Sequence, residues 1–395
     1  RALDRARLRD PDAARSPLWG LPTAMKDLHF VRGTRTRLGS QAFRWLWTPM
    51  DDLTTAAVRR AGLVVAGKLS TSELAILPVV DVDIHPPTRN PWDDTRYSGG
   101  SSGGSSAAVA SGMLPIAVAS DGAGSIRIPA AFCGLVGHKP TRGLVPNPFA
   151  RFETLSLSVV GPHARSVDDA AALLDLLCDV RTPARSLLRA IQHPPKRLRV
   201  RVTTQNPMVT TEPHVAVGVT RVAETLAALG HHVDLDTQDV FQGTLDEFLP
   251  MFQYMTAGML VPGAESSLQG TTRWLRAAGR RVRFEDAFAA RELFRARVDA
   301  WFGEVDLWVT PAVATLPAAV GTWRHLPPEA AFRDMARYGA FTAVFNASGN
   351  PATSVPVWPA EGAMPVGVQL VGRRREDGAL LRTARWLQGH VLTTR

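Results

Sequence analysis

Two glycine- and serine-rich blocks stand out in this chain of 395 residues as places where chemistry could occur. They are Ser98-Gly-Gly-Ser-Ser-Gly-Gly-Ser-Ser106 and Ser120-Asp-Gly-Ala-Gly-Ser-Ile-Arg-Ile-Pro129. Hydroxyls become nucleophiles when a base activates them, and unencumbered backbone N–H groups can receive developing negative charge. Three simpler readings of the first block compete. A flexible linker is disfavoured because the block runs directly into a helical Ala107–Ser111 and an apolar strand, which puts it inside a domain. A phosphate-binding loop would end in Gly-Lys-Ser/Thr, and no lysine is there. A hydrolase nucleophile elbow is formally matched by Gly99-Gly-Ser101-Ser-Gly103. That motif needs a strand in front, where Asn90-Pro-Trp-Asp-Asp-Thr reads as a turn, and it needs a positioned histidine. His138, His163 and His390 are available, but each reads better as a surface or core histidine.

The lysines form a second signal. Only Lys26, Lys68, Lys139 and Lys196 occur, so 41 of the 45 basic residues are arginine. Where arginine replaces lysine nearly everywhere, a surviving lysine is the better candidate for an amine that must lose its proton, which guanidinium cannot do.

The elements that must hold these residues alternate in type. Strand-like apolar runs at Leu63–Lys68, Ile116–Ser120, Leu198–Val202, His232–Leu235, Leu307–Thr310, Thr353–Val357 and Val366–Val371 are separated by helical patterns, the signature of an α/β protein. Helices are expected after the Ser166 cap through Ala170–Leu177, over Thr211–Leu229 and over Asp377–Leu387. Phe241–Leu275 is mostly helical and rich in Phe and Met. It reads first as core packing, with the wall of an apolar substrate pocket as the alternative.

Composition excludes several classes. Hydrophobic residues make up 45% and charged residues 21%, which is globular composition and neither disordered nor collagenous. The net charge of +9 is scattered among acids and forms no nucleic-acid stripe. Cys133 and Cys178 sit in apolar company without a partner at metal or redox spacing, so buried thiols are expected and no metal site. No window reaches the length of a membrane span and the start is charged, so a cytoplasmic protein is expected. The first residue is Arg rather than Met, which suggests that an N-terminal piece is missing.

The motifs resemble one family, the amidase signature hydrolases. The central block runs from Gly99 through Pro140 and includes Asp121-Gly-Ala-Gly-Ser-Ile-Arg-Ile-Pro-Ala and Gly137-His-Lys-Pro-Thr. Upstream it is joined by Gly20-Leu-Pro-Thr-Ala-Met-Lys-Asp and Ala66-Gly-Lys-Leu-Ser. Downstream follow Val160-Gly-Pro-His-Ala-Arg-Ser-Val-Asp-Asp, Phe345-Asn-Ala-Ser-Gly-Asn-Pro-Ala and Pro365-Val-Gly-Val-Gln-Leu-Val-Gly. The resemblance implies a single α/β domain over 1–395, with a mixed central β-sheet sandwiched between α-helical layers and a signature core at about 20–180. It also implies hydrolysis of a carbon–nitrogen amide bond through a seryl acyl-enzyme, with Ser125 as nucleophile, Ser101 in a cis peptide as proton relay and Lys26 as base. Ser102 would support them by hydrogen bonding, and Asp121 and Arg127 would hold the loops. No cofactor is implied. The partner would be a small-molecule amide, with neither nucleic acid nor membrane, and a homodimer is left open.

The residues agree with that assignment. Lys26 lies on the apolar segment Ala24-Met-Lys-Asp-Leu, where desolvation lowers an amine's proton affinity, and the competing reading is an ion pair with Asp27. Ser125 follows Gly122-Ala123-Gly124, whose amides, with its own, can form an oxyanion nest. Many members have Thr-Gly-Gly or Ile-Gly-Gly before the nucleophile; here the methyl of Ala123 restricts φ and would narrow the nest. Two alternatives remain, a glutamine-dependent amidotransferase A-type subunit and an esterase of α/β-hydrolase type, besides a non-catalytic binding scaffold. Residues 265–300 do not resemble the glutamine-gripping stretch of such subunits. Specificity is expected from Leu77–Ile84 and Phe241–Leu275, whose apolar content favours aryl or alkyl amides.

Overall fold

A computed structural model describes residues 16–148, 153–178, 185–236 and 240–391. Its frame is one sheet of ten strands. In chain order these are β1 (Pro22–Lys26), β2 (Val64–Leu69), β3 (Ile116–Asp121), β4 (Val136–Lys139), β5 (Val159–Ala164), β6 (Arg199–Val202), β7 (His232–Leu235), β8 (Leu307–Pro311), β9 (Ala352–Val357) and β10 (Val366–Gly372). Across the sheet the order is β7-β6-β8-β10-β9-β4-β5-β3-β1-β2. The β7-β6-β8 and β3-β1-β2 edges are parallel and the middle is antiparallel, giving the mixed sheet expected from the family resemblance. Seven of the ten strands coincide, within a residue or two at each end, with the apolar runs read from sequence.

The strands β4 and β5 are not among those runs. Val136-Gly-His-Lys is short, and Val-Val-Gly-Pro-His-Ala carries a Gly-Pro pair that reads as a turn. Pro162 is tolerated because β5 pairs with β4 only at His163 and Ala164, so no neighbour on that side asks residue 162 for an N–H. The stretch before Ser98 also departs from expectation. Asp93–Tyr97 is a strand, but it pairs with Arg89–Asn90 in a separate two-stranded ribbon and bridges Ala319, so no strand of the main sheet leads into Ser101.

Alternation along the strands separates two cores. Leu307 and Val309 face one cluster, together with the Val167–Leu177, Pro213–Ala228 and Asp377–Val391 helices. Trp308, between them, faces the other, which gathers the aromatic residues of the Thr244–Gly258 and Phe284–Phe302 helices. The Ser166 hydroxyl caps its helix by accepting from the Asp169 amide at 3.1 Å. The first Gly/Ser block enters a helix at Gly103, four residues earlier than propensity suggests. Close approach explains it: a Cβ on Gly104 would lie 2.5 Å from the Ser70 backbone nitrogen, so only glycine lets this helix sit against the end of β2.

Trp308 is fully buried and stacks on Trp301 with an interplanar angle of 22°. Trp308→Ala would leave a cavity that two rigid neighbours cannot close, and should cost about 3–5 kcal/mol. Urea denaturation of the variant beside the parent measures it.

Candidate active site

Strands β1 and β3 run parallel, with Met25 opposite Val118, so their C-terminal ends deliver Lys26 and Ser120 to the same place. Lys26 is completely buried. Its Nζ bonds to Ser101 Oγ at 2.7 Å, Ser102 Oγ at 2.9 Å and Ser120 Oγ at 2.9 Å. Burial drives its pKa down to about 7, opposed in part by the charge of Asp121. The competing ion pair does not form: Asp27 instead binds Lys68 at 2.7 Å. Lys26 makes no ion pair among the described residues.

The Gly100–Ser101 peptide bond is cis. Ser102 donates to the carbonyl of Ser120 at 3.1 Å, which ties the first Gly/Ser block to the end of β3. Ser120 carries no distinguishing signal in the sequence, where its hydroxyl looks like that of the last residue of a strand. Its register beside Lys26 is what brings it in.

The second block is shaped by Asp121. Its carboxylate accepts the amides of Gly124 at 2.6 Å and Ile126 at 3.2 Å, and both arms of the Arg127 guanidinium at 2.9 Å. Burial alone would raise the pKa of this carboxyl, but the charge and hydrogen bonds of Arg127, with Lys139 and Asn346, hold it well below the usual carboxylate range. Arg127 reaches on to Thr342 O, Gln369 Oε1 and Asn346 Oδ1, at 3.0, 2.8 and 2.6 Å. Asn346 and Gln369 thus belong to the support of the loop, although nothing in their local sequence sets them apart from the motifs in which they lie.

One of the four amides of the expected oxyanion nest already has a partner. The Gly124 amide is committed to Asp121, whereas the amides of Gly122, Ala123 and Ser125 carry no such tie among the described residues. Ala123 raises no backbone difficulty either. The positive φ of the loop, +130°, falls on Gly124, where a Cβ would meet Thr342 Oγ1 at 2.3 Å. The Ala123 carbonyl accepts from the same Thr342 hydroxyl at 2.7 Å.

Ser101, Ser120, Gly122, Ala123 and Ser125 all line one cavity of about 340 Å³. Ser125 is half-buried, and its hydroxyl makes no hydrogen bond to any described residue. The rest of the wall is largely apolar. Phe248, Leu249, Phe252, Met255 and Met259 line it from the Thr244–Gly258 helix and its end, while Phe241, Met251 and Leu275 pack in the core. The Phe241–Leu275 segment therefore serves both roles between which its sequence leaves a choice. From the other expected specificity segment only Pro78 reaches the cavity; the neighbouring Leu74, Ala75 and Ile76 do more. His138, His163 and His390 are absent from the wall. His138 contacts Thr353 and Asp377, His163 bonds to Ile126 O, and His390 bonds to Trp386 O. With none of these histidines at the serines, the elbow reading fails. Among the described residues no cluster of His, Cys, Asp and Glu is suited to a metal ion, and no helix is long and apolar enough to cross a membrane.

A mixed sheet whose parallel ends present a desolvated lysine to two Gly/Ser loops defines the amidase signature class. The chain belongs to the amidase family, whose sequence profile matches residues 1–381. It is 35% identical over 378 residues to the putative amidase AmiB2 of Mycobacterium tuberculosis (strain ATCC 25618 / H37Rv), covering 94% of this chain and 81% of that protein. To the 6-aminohexanoate-cyclic-dimer hydrolase of Pseudomonas sp. (strain NK87) it is 33% identical over 433 residues, covering 96% and 85%. A solved structure of 6-aminohexanoate cyclic dimer hydrolase complexed with substrate superposes with a TM-score of 0.86 at 30% identity, covering 98% of this chain and 88% of that one.

The Asp121–Arg127 pair is fully buried on both sides. Arg127→Met would strand the carboxylate and should cost about 3–5 kcal/mol at neutral pH. Because the folded carboxyl titrates below its unfolded value, the parent's contribution is present above the ordinary carboxylate range and fades as pH falls through the folded value. Urea titrations of both proteins from pH 7 to pH 3 should show the gap narrowing toward acid.

Proposed function

We propose that this protein hydrolyses amides of predominantly apolar aryl or alkyl compounds through an acyl-enzyme on Ser125. The observation that carries the reading is Lys26: wholly buried, paired with no described carboxylate, and hydrogen-bonded to three hydroxyls, of which Ser101 and Ser120 open on the cavity that also holds Ser125. A pKa of about 7 leaves a large fraction of this amine neutral at working pH, with a lone pair to accept a proton. The proton of Ser102 is engaged by Ser120 O, and of the two hydroxyls that open on the cavity Ser101 lies closer to Nζ, at 2.7 Å against 2.9 Å for Ser120, so Ser101 is assigned as the donor.

In the reaction, Ser125 Oγ attacks the amide carbonyl carbon while its proton passes to Ser101, and the proton of Ser101 passes to Lys26. The amides of Gly122, Ala123 and Ser125 are the donors available to the resulting oxyanion. Collapse breaks the C–N bond as the relay returns a proton to the leaving amine, and water then hydrolyses the ester by the same route.

The amidotransferase reading is weaker on electrostatic grounds. The chain does resemble the A-type subunit of glutamyl-tRNA(Gln) amidotransferase from Synechococcus sp. (strain WH7803), at 31% identity. Glutamine, however, carries an α-carboxylate, and among the described residues no Lys, Arg or His lines this cavity to pair with it.

Three outcomes follow. Mass spectrometry of an acid-quenched ester reaction should find an acyl adduct on the parent and none on Ser125→Ala; an adduct surviving the substitution would show that another residue is the nucleophile. Lys26→Arg should lose roughly 10²–10⁴-fold in kcat, as much as Lys26→Ala, since guanidinium stays protonated. In the parent, kcat/KM should rise with pH through about 7 and level off above, because the neutral amine is the active form. A profile flat across this range would remove the lysine from the role of base.

A further inference from the structure

Among the described residues the cavity wall contains one ionisable side chain, Glu153, in a lining that is otherwise apolar or neutral. Glu153 is 7% exposed and makes no ion pair among the described residues. One carboxylate oxygen accepts the Ser158 amide at 2.7 Å. Ser158 in turn is held by Asn147, whose side-chain amide donates to the Ser158 carbonyl at 3.1 Å. The charge of Arg142 acts on Glu153, but its guanidinium makes no ion pair with the carboxylate and donates to the carbonyls of Asn346 and Ala347. This leaves a buried carboxyl in the cavity lining with no ion-pair partner among the described residues.

The position of this group relates it to the reacting centre. Ser158 sits just before β5, which pairs with β3 through Asp121 opposite Val159. A Cβ on Gly122 would lie 3.1 Å from Ser158 Oγ, so the Glu153–Ser158 unit adjoins the loop that carries the oxyanion donors. A buried carboxylate is costly unless its charge is paired, and here the donors come from the neutral groups of Ser158 and Leu157. Burial accordingly raises its pKa despite the bonds from Ser158 and Leu157. A pairing charge is something a ligand can bring.

We propose that Glu153 is a specificity-determining residue that receives an amino group of the substrate, so that the preferred substrates are apolar amides bearing one ammonium close to the scissile bond. This rests on the reading of the cavity as the substrate site. The rest of the wall then buries the hydrocarbon, while Glu153 offers the one charge complementary to an amine and hostile to a carboxylate. A purely structural role, capping the 153–158 turn through the Ser158 amide, is the competing account.

Calorimetric titration of n-hexylammonium and 1-hexanol, a matched charged and neutral pair, separates the two. It is done on the unaltered protein, on Ser125→Ala and on Ser125→Ala/Glu153→Gln. Glutamine keeps an oxygen for the Ser158 amide and so preserves the turn cap while removing the charge. The amine should bind at least about tenfold more tightly than the alcohol to the first two proteins, as a charge-assisted bond allows, and this preference should vanish in the third. Equal affinity for amine and alcohol in the unaltered protein would overturn the proposal even if the glutamine variant failed to fold, and so would a preference that survives the substitution. Binding is read without turnover, so a failure of the acyl-enzyme reading shows separately, in the quenched ester reaction.

Discussion

The buried pair of Asp121 and Arg127 is the interaction on which the site depends. The carboxylate fixes the path of its own loop by taking the Gly124 and Ile126 amides, and the guanidinium fastens that loop to Thr342, Asn346 and Gln369, far along the chain. A charge pair removed from water is justified energetically only when every donor and acceptor finds a partner. Here that requirement forces elements from both halves of the sheet to converge. The loop is rigid because the ions cannot be buried in any looser arrangement.

The same low-dielectric interior acts in the opposite sense on Lys26. Arg127 meets a carboxylate, whereas Lys26 meets only hydroxyls, and burial drops the pKa of the lysine to about 7. Asp121 lies near enough to raise that value somewhat but makes no direct bond to the amine. The diversion of Asp27 to Lys68 matters equally, since a carboxylate on Nζ would stabilise the ammonium and hold the amine protonated. One neighbourhood thus holds a guanidinium paired with a carboxylate and an amine paired with none.

Much of this is legible in the chain. The α/β alternation locates most of the sheet, and the two Gly/Ser blocks with Lys26 mark the chemistry. Scarcity of lysine is an informative but incomplete signal. It draws attention to Lys139 as much as to Lys26, and Lys139 is also fully buried with its pKa lowered to about 7, yet its Nζ reaches the Pro140 carbonyl, whereas that of Lys26 reaches Ser101 and Ser120, which line the cavity. Burial can be guessed from apolar flanks; contact with a particular hydroxyl depends on sheet register. Ser120, Asn346 and Gln369 escape for that reason. Each owes its place to a pairing between segments far apart in the chain, and local periodicity carries no record of which strands become neighbours.

Register also accounts for the division of labour around the cavity. Strands β1 and β3 end side by side, so Lys26 and the hydroxyls bonded to it arrive from the sheet and from the two loops packed against it, where movement is costly. The opposite wall comes from the Thr244–Gly258 helix and its Phe and Met side chains, whose contacts are non-directional. Substitutions there can alter the shape of the cavity without disturbing a hydrogen bond of the lysine network, because none of the partners of Lys26 comes from that helix. The proposed reactivity thus rests on directional bonds fixed in the sheet, and the proposed selectivity on adaptable apolar surface set against the one buried carboxyl that lines the cavity among the described residues.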